Sequence, residues 1–366
     1  MKRTAKAAVF TGVDQPFDIR EYDVEPTPAG MATLDLIASG VCGTDLHIHR
    51  GKIPLPAPAI IGHEFVGRVA EIAEADAQRY GIRPGDAAIV DIACPCGQCP
   101  LCQAGDDANC LNMGVTNAGD PGQAPHFFGG YGEVNVSPVA NLVRIPEGLD
   151  PEMVCAYACA GPTTIHAFRL AERANCRPEA WRTAVVQGIG PVGTFALLYL
   201  AKLGVKNVVA VASRRVESRD RLVRELGATE TLYLNELGEE GVIERVRRLS
   251  DGIGADLALE ASGNPRAFPQ GLRMLRNRGL YLVPGQYSNS GGVPVEPQLI
   301  TFQALQIIGS SQYAMQDVRD YLDFLLKHPE VHGLIASLLA RYAVADTNQA
   351  FQDAKAGRNI KTILIK

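Results

Sequence analysis

The chain has 366 residues, a hydrophobic share of 46%, a charged share of 20% and a formal net charge of -5. That is the mix of a folded protein too long for one ordinary core, so two domains are expected. The mildly acidic balance argues against nucleic acid as a main partner, and no apolar run approaches the ~20 residues that span a bilayer.

The start, Met1 to Phe10, carries basic residues but no long apolar stretch, and it reads as a first β-strand rather than a secretion signal. A cytoplasmic location follows, and in a reducing compartment the nine cysteines point to metal or catalysis before disulfides. Up to about residue 150 the chain is rich in Gly, Pro and Val. Strands are predicted over 66–72 and 87–90, with turn chemistry at Arg83-Pro84-Gly85-Asp86 between them. The segment from Asn117 to Gly132 holds His126, Phe127, Phe128 and Tyr131; its tail, Phe128 to Glu133, reads as the start of a core strand.

The texture changes near Pro151. Two helical patterns run from Glu152 to Ala174, broken by Gly161-Pro162. Then come a strand over 183–187, a helix over 194–203, a strand over 208–212 and a helix over 219–226. Strands over 256–260 and 280–283 continue the series. Such alternation predicts an α/β unit with a doubly wound parallel sheet. The tail carries helices over 315–327 and 347–355 and a last strand over 361–365 that could rejoin the first domain.

Cys96, Cys99, Cys102 and Cys110 form C-x2-C-x2-C-x7-C, four thiolates at a spacing that can wrap one tetrahedral zinc. A site closed by four thiolates has no open position, so its role is structural. Cys94 is left out of the set. Four free thiols on a surface loop would gain nothing from the spacing. A nucleic-acid zinc ribbon would need a basic, aromatic surface, whereas Asp106 and Asp107 make this loop acidic. Two further stretches suggest a second metal: Gly40-Val41-Cys42-Gly43-Thr44-Asp45-Leu46-His47 and Ile61-Gly62-His63-Glu64. Taken alone, Cys42 and His63 read equally well as a buried thiol and a core histidine.

Val185-Val186-Gln187-Gly188-Ile189-Gly190-Pro191-Val192-Gly193 is strand, glycine loop and helix start, the arrangement that cradles a dinucleotide pyrophosphate. Gly188 makes the tight turn, Gly190 lets the backbone approach the phosphates, and Gly193 lets helix and strand pack closely. An NAD site has Asp or Glu about 20 residues on. Here Ala212 stands at that point, followed by Ser213, Arg214 and Arg215. A hydroxyl and two guanidinium groups suit a 2′-phosphate, so NADP(H) is favoured over NAD(H). In the alternative, the arginines are a solvated helix start and Glu217 serves the ribose of NAD.

Taken together, the G-x-C-G-T-D-x-H stretch, the G-H-E triplet, the four-cysteine lobe and the later glycine motif resemble the zinc-containing medium-chain dehydrogenase family, in family order and across essentially the whole chain. The resemblance implies a GroES-like β-rich catalytic domain (1–155 and 303–366) and a Rossmann dinucleotide-binding domain (156–302). It also implies two zinc ions per subunit, and hydride transfer between a small alcohol or polyol, or its ketone or aldehyde, and the nicotinamide cofactor. Carried over residue by residue, Cys42, His63 and Cys159 are similar to the catalytic zinc ligands, with Cys155 the competitor for the third place. Glu64 matches the carboxylate behind the metal, Asp45 the carboxylate that orients the zinc-bound histidine, Thr44 the hydroxyl on the substrate oxygen, and His47 the outer proton relay. Ser262 and Gly285 look like nicotinamide-side backbone contacts. A homotetramer or homodimer is implied. The rivals are an NAD-linked polyol, threonine or cyclitol dehydrogenase; a catalytically silent binding protein of the same fold, of which loss of Cys42, His63 or Thr44 would be the mark; and a zinc-free reductase, whose members usually lack both cysteine sets.

Overall fold

The computed structural model describes residues 3–366, apart from the side chain of Ser218. Met1 and Lys2, the beginning of the expected first strand, lie outside the described residues. The chain divides into two compact units, one of residues 1–162 with 312–366, the other of residues 163–311. No helix among the described residues is long and apolar enough to cross a membrane.

The first unit begins with the hairpin β1 (Thr4–Val9) and β2 (Asp18–Asp23). There follow β3 (Met31–Gly40), β4 (Glu64–Ile72), β5 (Ala87–Val90), the short pair β6 (Ala93–Cys94) and β7 (Gly114–Val115), β8 (Val134–Pro138) and β9 (Leu142–Arg144). Its main sheet also takes the two strands that close the chain, Leu339–Ala343 and Lys361–Ile365. The last of these pairs antiparallel with β3, Ile363 against Gly40 and Leu364 against Ser39. The C-terminus thus returns to the sheet that the N-terminal segment built. Its core gathers alternate residues of these strands, among them Leu34, Leu36, Phe65, Val69, Val134 and Val136, as expected of strands with one buried face.

The segment 128–133 departs from the strand expected there: β8 starts only at Val134. A side chain at Gly129 would overlap the main chain of Ile60, and Tyr131 turns inward, fully buried. Close packing against 60–62 holds this stretch out of the sheet.

The second unit carries β10 (Thr183–Gln187), β11 (Asn207–Ala212), β12 (Glu230–Tyr233), β13 (Ala255–Glu260), β14 (Leu275–Val283) and β15 (Gln306–Gly309). All are parallel, in the order β12-β11-β10-β13-β14-β15. That is the doubly wound order, which reverses next to β10. Side chains alternate between its two faces. Ala184, Val186, Val208 and Ala210 pack with Ala196 and Leu197 on one side. Val185, Val209 and Val211 pack with Val242, Ile243 and Val246 on the other. A strand buried on both sides reads as a continuous apolar run, which is how β10 and β11 appear in the sequence.

Two boundaries differ from expectation for local reasons. Gly161 and Pro162 do not interrupt a helix but open one, Ala160–Arg173, where a first-turn proline loses no hydrogen bond. The break falls instead at 156–159. Likewise the helix after the glycine loop starts at Pro191, three residues earlier than the apolar pattern suggests, with Gly190 as its N-cap.

Candidate active site

Cys42 is the N-cap of the helix Gly43–His49, and the local sequence explains why. Asp45, three residues on, reaches back to accept from the Cys42 main-chain N–H at 2.9 Å, which closes a capping box. The same carboxylate is fully buried and does two further things. Its Oδ1 lies 3.2 Å from His63 Nδ1, and its Oδ2 accepts from the Tyr131 hydroxyl at 2.8 Å. Asp45 therefore fixes both the loop that carries Cys42 and the ring of His63.

Around these residues the chain assembles a cluster. One ligand atom each from Cys42, His63, Glu64 and Cys159 lies within 4.8 Å of the others. An ion with Zn–S and Zn–N distances of about 2.3 and 2.1 Å spans such a group. The donor chemistry also fits: two thiols and an imidazole are the ligand mix of a catalytic zinc rather than of a hard cation. The hydrogen bond from Cys159 holds the Cys42 thiol well below its ordinary range. The same bond, with burial, pushes Cys159 well above it. Burial disfavours charge on His63, but Asp45 and Cys42 outweigh it and hold its pKa well above the usual value. Cys155 stays out of this group; its thiol donates to the Glu64 carbonyl at 3.4 Å.

Glu64 has a partner that sequence reading missed. Lys361, on the last strand, pairs with its carboxylate, and both side chains are buried, at 0% and 1% exposure. Gly40 makes room: a Cβ there would collide with Glu64 Oε2 and crowd the end of Lys361. Burial pushes the Glu64 carboxyl up to about 7 even with the ammonium beside it. Thr44 Oγ1 lies 3.7 Å from Cys42 Sγ, and His47 stands one turn further along the same helix. Burial, helped by Lys52 and Arg50, lowers the His47 pKa.

The second cluster is Cys96, Cys99, Cys102 and Cys110, again with sulfurs within 4.8 Å of one another. Backbone N–H groups of Gln98 and Cys99 bring Cys96 down to about 6, and burial raises Cys102 to about 12. Main-chain N–H groups of Cys96 and Asn112 point at Cys110 Sγ at 3.2 and 3.3 Å. Four converging sulfurs with inward amides suit a tetrathiolate ion. Cys94 faces Asn141 instead, at 3.5 Å.

In the second unit Gly188 takes φ 100° and its N–H donates to Val211 at 2.8 Å. A side chain there would strike Ala261 and Ser262. Gly193 sits against the Gly188 carbonyl, while the space over Gly190 is open. Pro191 and Val192 form the first turn of the helix. The main-chain amides at this helix start are the means of holding phosphate. After β11, Ser213 and Arg214 are exposed. Arg215 is already engaged: it bonds Glu236 at 2.8 and 3.0 Å and Asp220 at 2.5 Å, and its guanidinium lies over Tyr233 at 4.4 Å. Ser262 and Gly285 follow β13 and β14, at the carboxyl ends of adjacent strands.

Residues 28–147 match the alcohol dehydrogenase GroES-like domain and residues 191–327 the zinc-binding dehydrogenase domain. The chain belongs to the zinc-containing medium-chain dehydrogenase family. It is 28% identical to a 5-exo-hydroxycamphor dehydrogenase of Pseudomonas putida, with 98% of each chain covered. It is also 28% identical to an alcohol dehydrogenase of Geobacillus stearothermophilus, over 99% of this chain and 98% of the other. Its fold matches an alcohol dehydrogenase structure from Thermotoga maritima with a TM-score of 0.89, at 27% identity and 99% coverage of both chains. The dehydrogenase is thus a zinc-binding oxidoreductase of the alcohol, polyol or threonine dehydrogenase type.

Proposed function

We propose that the enzyme moves a hydride between a small alcohol or polyol, or its carbonyl counterpart, and NADP(H). In this reading Cys42, His63 and Cys159 hold a catalytic zinc, and the four-cysteine loop holds a structural one. The observation that carries the cofactor choice is the end of β11. Ala212 stands where an NAD site has its acid, and exposed Ser213 and Arg214 follow. A 2′-phosphate would gain a hydroxyl donor and a charge-assisted guanidinium bond there. Arg215, tied to Glu236 and Asp220, fixes the loop that presents them.

Zinc held by this donor set supplies Lewis acidity, which makes a hydroxyl more acidic and a carbonyl more electrophilic. The protein's own residues do the rest. Asp45 keeps His63 in one tautomer and orientation. Thr44 takes the substrate hydroxyl proton as it releases its own, and His47, kept neutral by burial and nearby cations, can accept the relayed proton and pass it outward. Behind the thiols, the Lys361 ammonium favours the thiolate form of Cys42 while its buried pairing with Glu64 fixes it in place. A homodimer or homotetramer, in which β15 at the edge of its sheet pairs with a second copy, accords with this reading.

The test is steady-state kinetics with NADP and NAD for the parent and Arg214→Ala. Loss of one charge-assisted bond is worth about 1.5–3 kcal/mol, so KM for NADP should rise roughly 10- to 100-fold while that for NAD changes little. An equal rise for both cofactors would remove the phosphate-pocket argument.

A further inference from the structure

One buried carboxylate lies outside the chemistry above. Glu260, the last residue of β13, is fully buried. Its Oε1 accepts from the Ser262 N–H at 2.7 Å, the Ser262 hydroxyl at 2.5 Å and the Gly263 N–H at 3.0 Å. The Ser262 hydroxyl in turn accepts from the Asn264 N–H at 3.1 Å, and Gln286 Nε2 donates to the Asn264 carbonyl at 3.0 Å. The turn 261–264 is thus wound around this side chain. Without it, two main-chain donors would turn inward with no acceptor.

The same residue ties three loops together. Its carbonyl accepts from the Gly285 N–H at 2.9 Å, and the Ala261 N–H donates to the Gln187 carbonyl at 2.9 Å. A Cβ at Gly188 would strike Ala261 and Ser262, and one at Gly285 would strike Glu260 itself. The loops after β10, β13 and β14 therefore rest on one another with Glu260 beneath. They stand at the carboxyl ends of neighbouring parallel strands, where such sheets bind ligands. Burial disfavours the carboxylate and raises its pKa, and the Ser262 and Gly263 donors offset part of that cost.

We propose that Glu260 is a positioning residue for the dinucleotide: by holding the 261–264 turn it keeps the loops of Gly188, Ser262 and Gly285 in their bound arrangement before the cofactor arrives. Less ordering is then left to be done on binding. This rests on the reading of these loops as the dinucleotide site. The clamp lies away from Arg214 in the sequence and touches only loops shared by both cofactors, so its loss affects NADPH and NADH alike.

The test uses the full chain, with Kd values for NADPH and NADH measured by fluorescence titration well below the unfolding midpoint. Glu260→Ala is expected to weaken both cofactors by about 10-fold or more, while kcat at saturating cofactor stays within about threefold and the metal content is unchanged. A purely structural role would lower Tm but leave both Kd values alone, and that result overturns the proposal. Should Glu260→Ala not fold, Glu260→Gln decides: weakening of about fivefold is expected from loss of the charge-assisted bonds, and a Kd within about twofold of the parent overturns the proposal. Gly190→Val is the reference variant, because a Cβ there meets no protein atom within 4 Å and so projects into the open space at the phosphate seat. If it weakens binding and the Glu260 variants do not, the clamp fails and the site reading stands; if it too has no effect, the site reading itself fails.

Discussion

Lys361→Met removes the ammonium of the buried pair with Glu64 and keeps a straight apolar chain of similar length. In the parent the ion pair is sealed, at 0% and 1% side-chain exposure, and Gly40 leaves space for nothing else. Breaking such a pair by deleting one partner costs about 3–5 kcal/mol, because the other charge stays buried alone. Glu64 can relieve part of this by taking a proton, since burial already holds its carboxyl at about 7. The lower end, about 3 kcal/mol, is therefore expected at neutral pH. For a unit of this size that lowers Tm by roughly 6–12 °C. Differential scanning calorimetry of the metal-loaded protein measures it. A Tm for Lys361→Met within about 2 °C of the parent would refute the claim that a desolvated ion pair supports the metal cluster.

Asp45→Asn keeps the shape of the carboxylate but weakens its hold on His63 and on the Cys42 loop. Loss of such support costs about 10- to 100-fold in metal affinity, which chelator competition at the cysteine–histidine site reads directly; unchanged affinity would assign Asp45 to the helix cap alone. Asp91, just ahead of the four-cysteine loop in sequence, gives a pH signature. Burial raises its folded pKa to about 7 from the ordinary aspartate value of about 3.9. A carboxyl raised on folding adds stability in acid and loses it as pH climbs through the interval from about 4 to about 7, at roughly 1.4 kcal/mol per unit. Asp91→Asn, which can still accept from the Ala93 N–H, should therefore melt higher than the parent at pH 8, with the gain vanishing toward pH 4. Parallel Tm–pH curves for the two proteins would contradict this.

What could be read in advance divides by distance along the chain. The convergence of the four-cysteine loop was legible because its thiols fall within 96–110, a spacing short enough to bring the sulfurs together. The glycine loop was legible because Gly188 and Gly193 each answer a local steric demand, and strand–helix alternation announces a parallel sheet. The capping box of Cys42 and Asp45 lies within four residues, although the second task of Asp45, on His63, needs the fold. Lys361 was not legible: it is 297 positions from Glu64 and sits in an apolar strand, where a lysine reads as an edge residue. Tyr131 was hidden for the same reason, 86 positions from the carboxylate it bonds. The engagement of Arg215 could not be foreseen either, because Glu236 reaches it from the far side of β12 in sequence. Local chemistry was readable; the charge partners brought in by long-range strand pairing were not.

Metal analysis combined with turnover, on the parent and on Cys42→Ala, bears most directly on the chemistry proposed for this dehydrogenase. Two thiols and an imidazole that hold the working ion require two zinc ions per chain in the parent. They require one zinc, retained by the cysteine loop, and no measurable turnover in Cys42→Ala. A Cys42→Ala protein that loses no zinc, or that still oxidises alcohols at the parent rate, would contradict it.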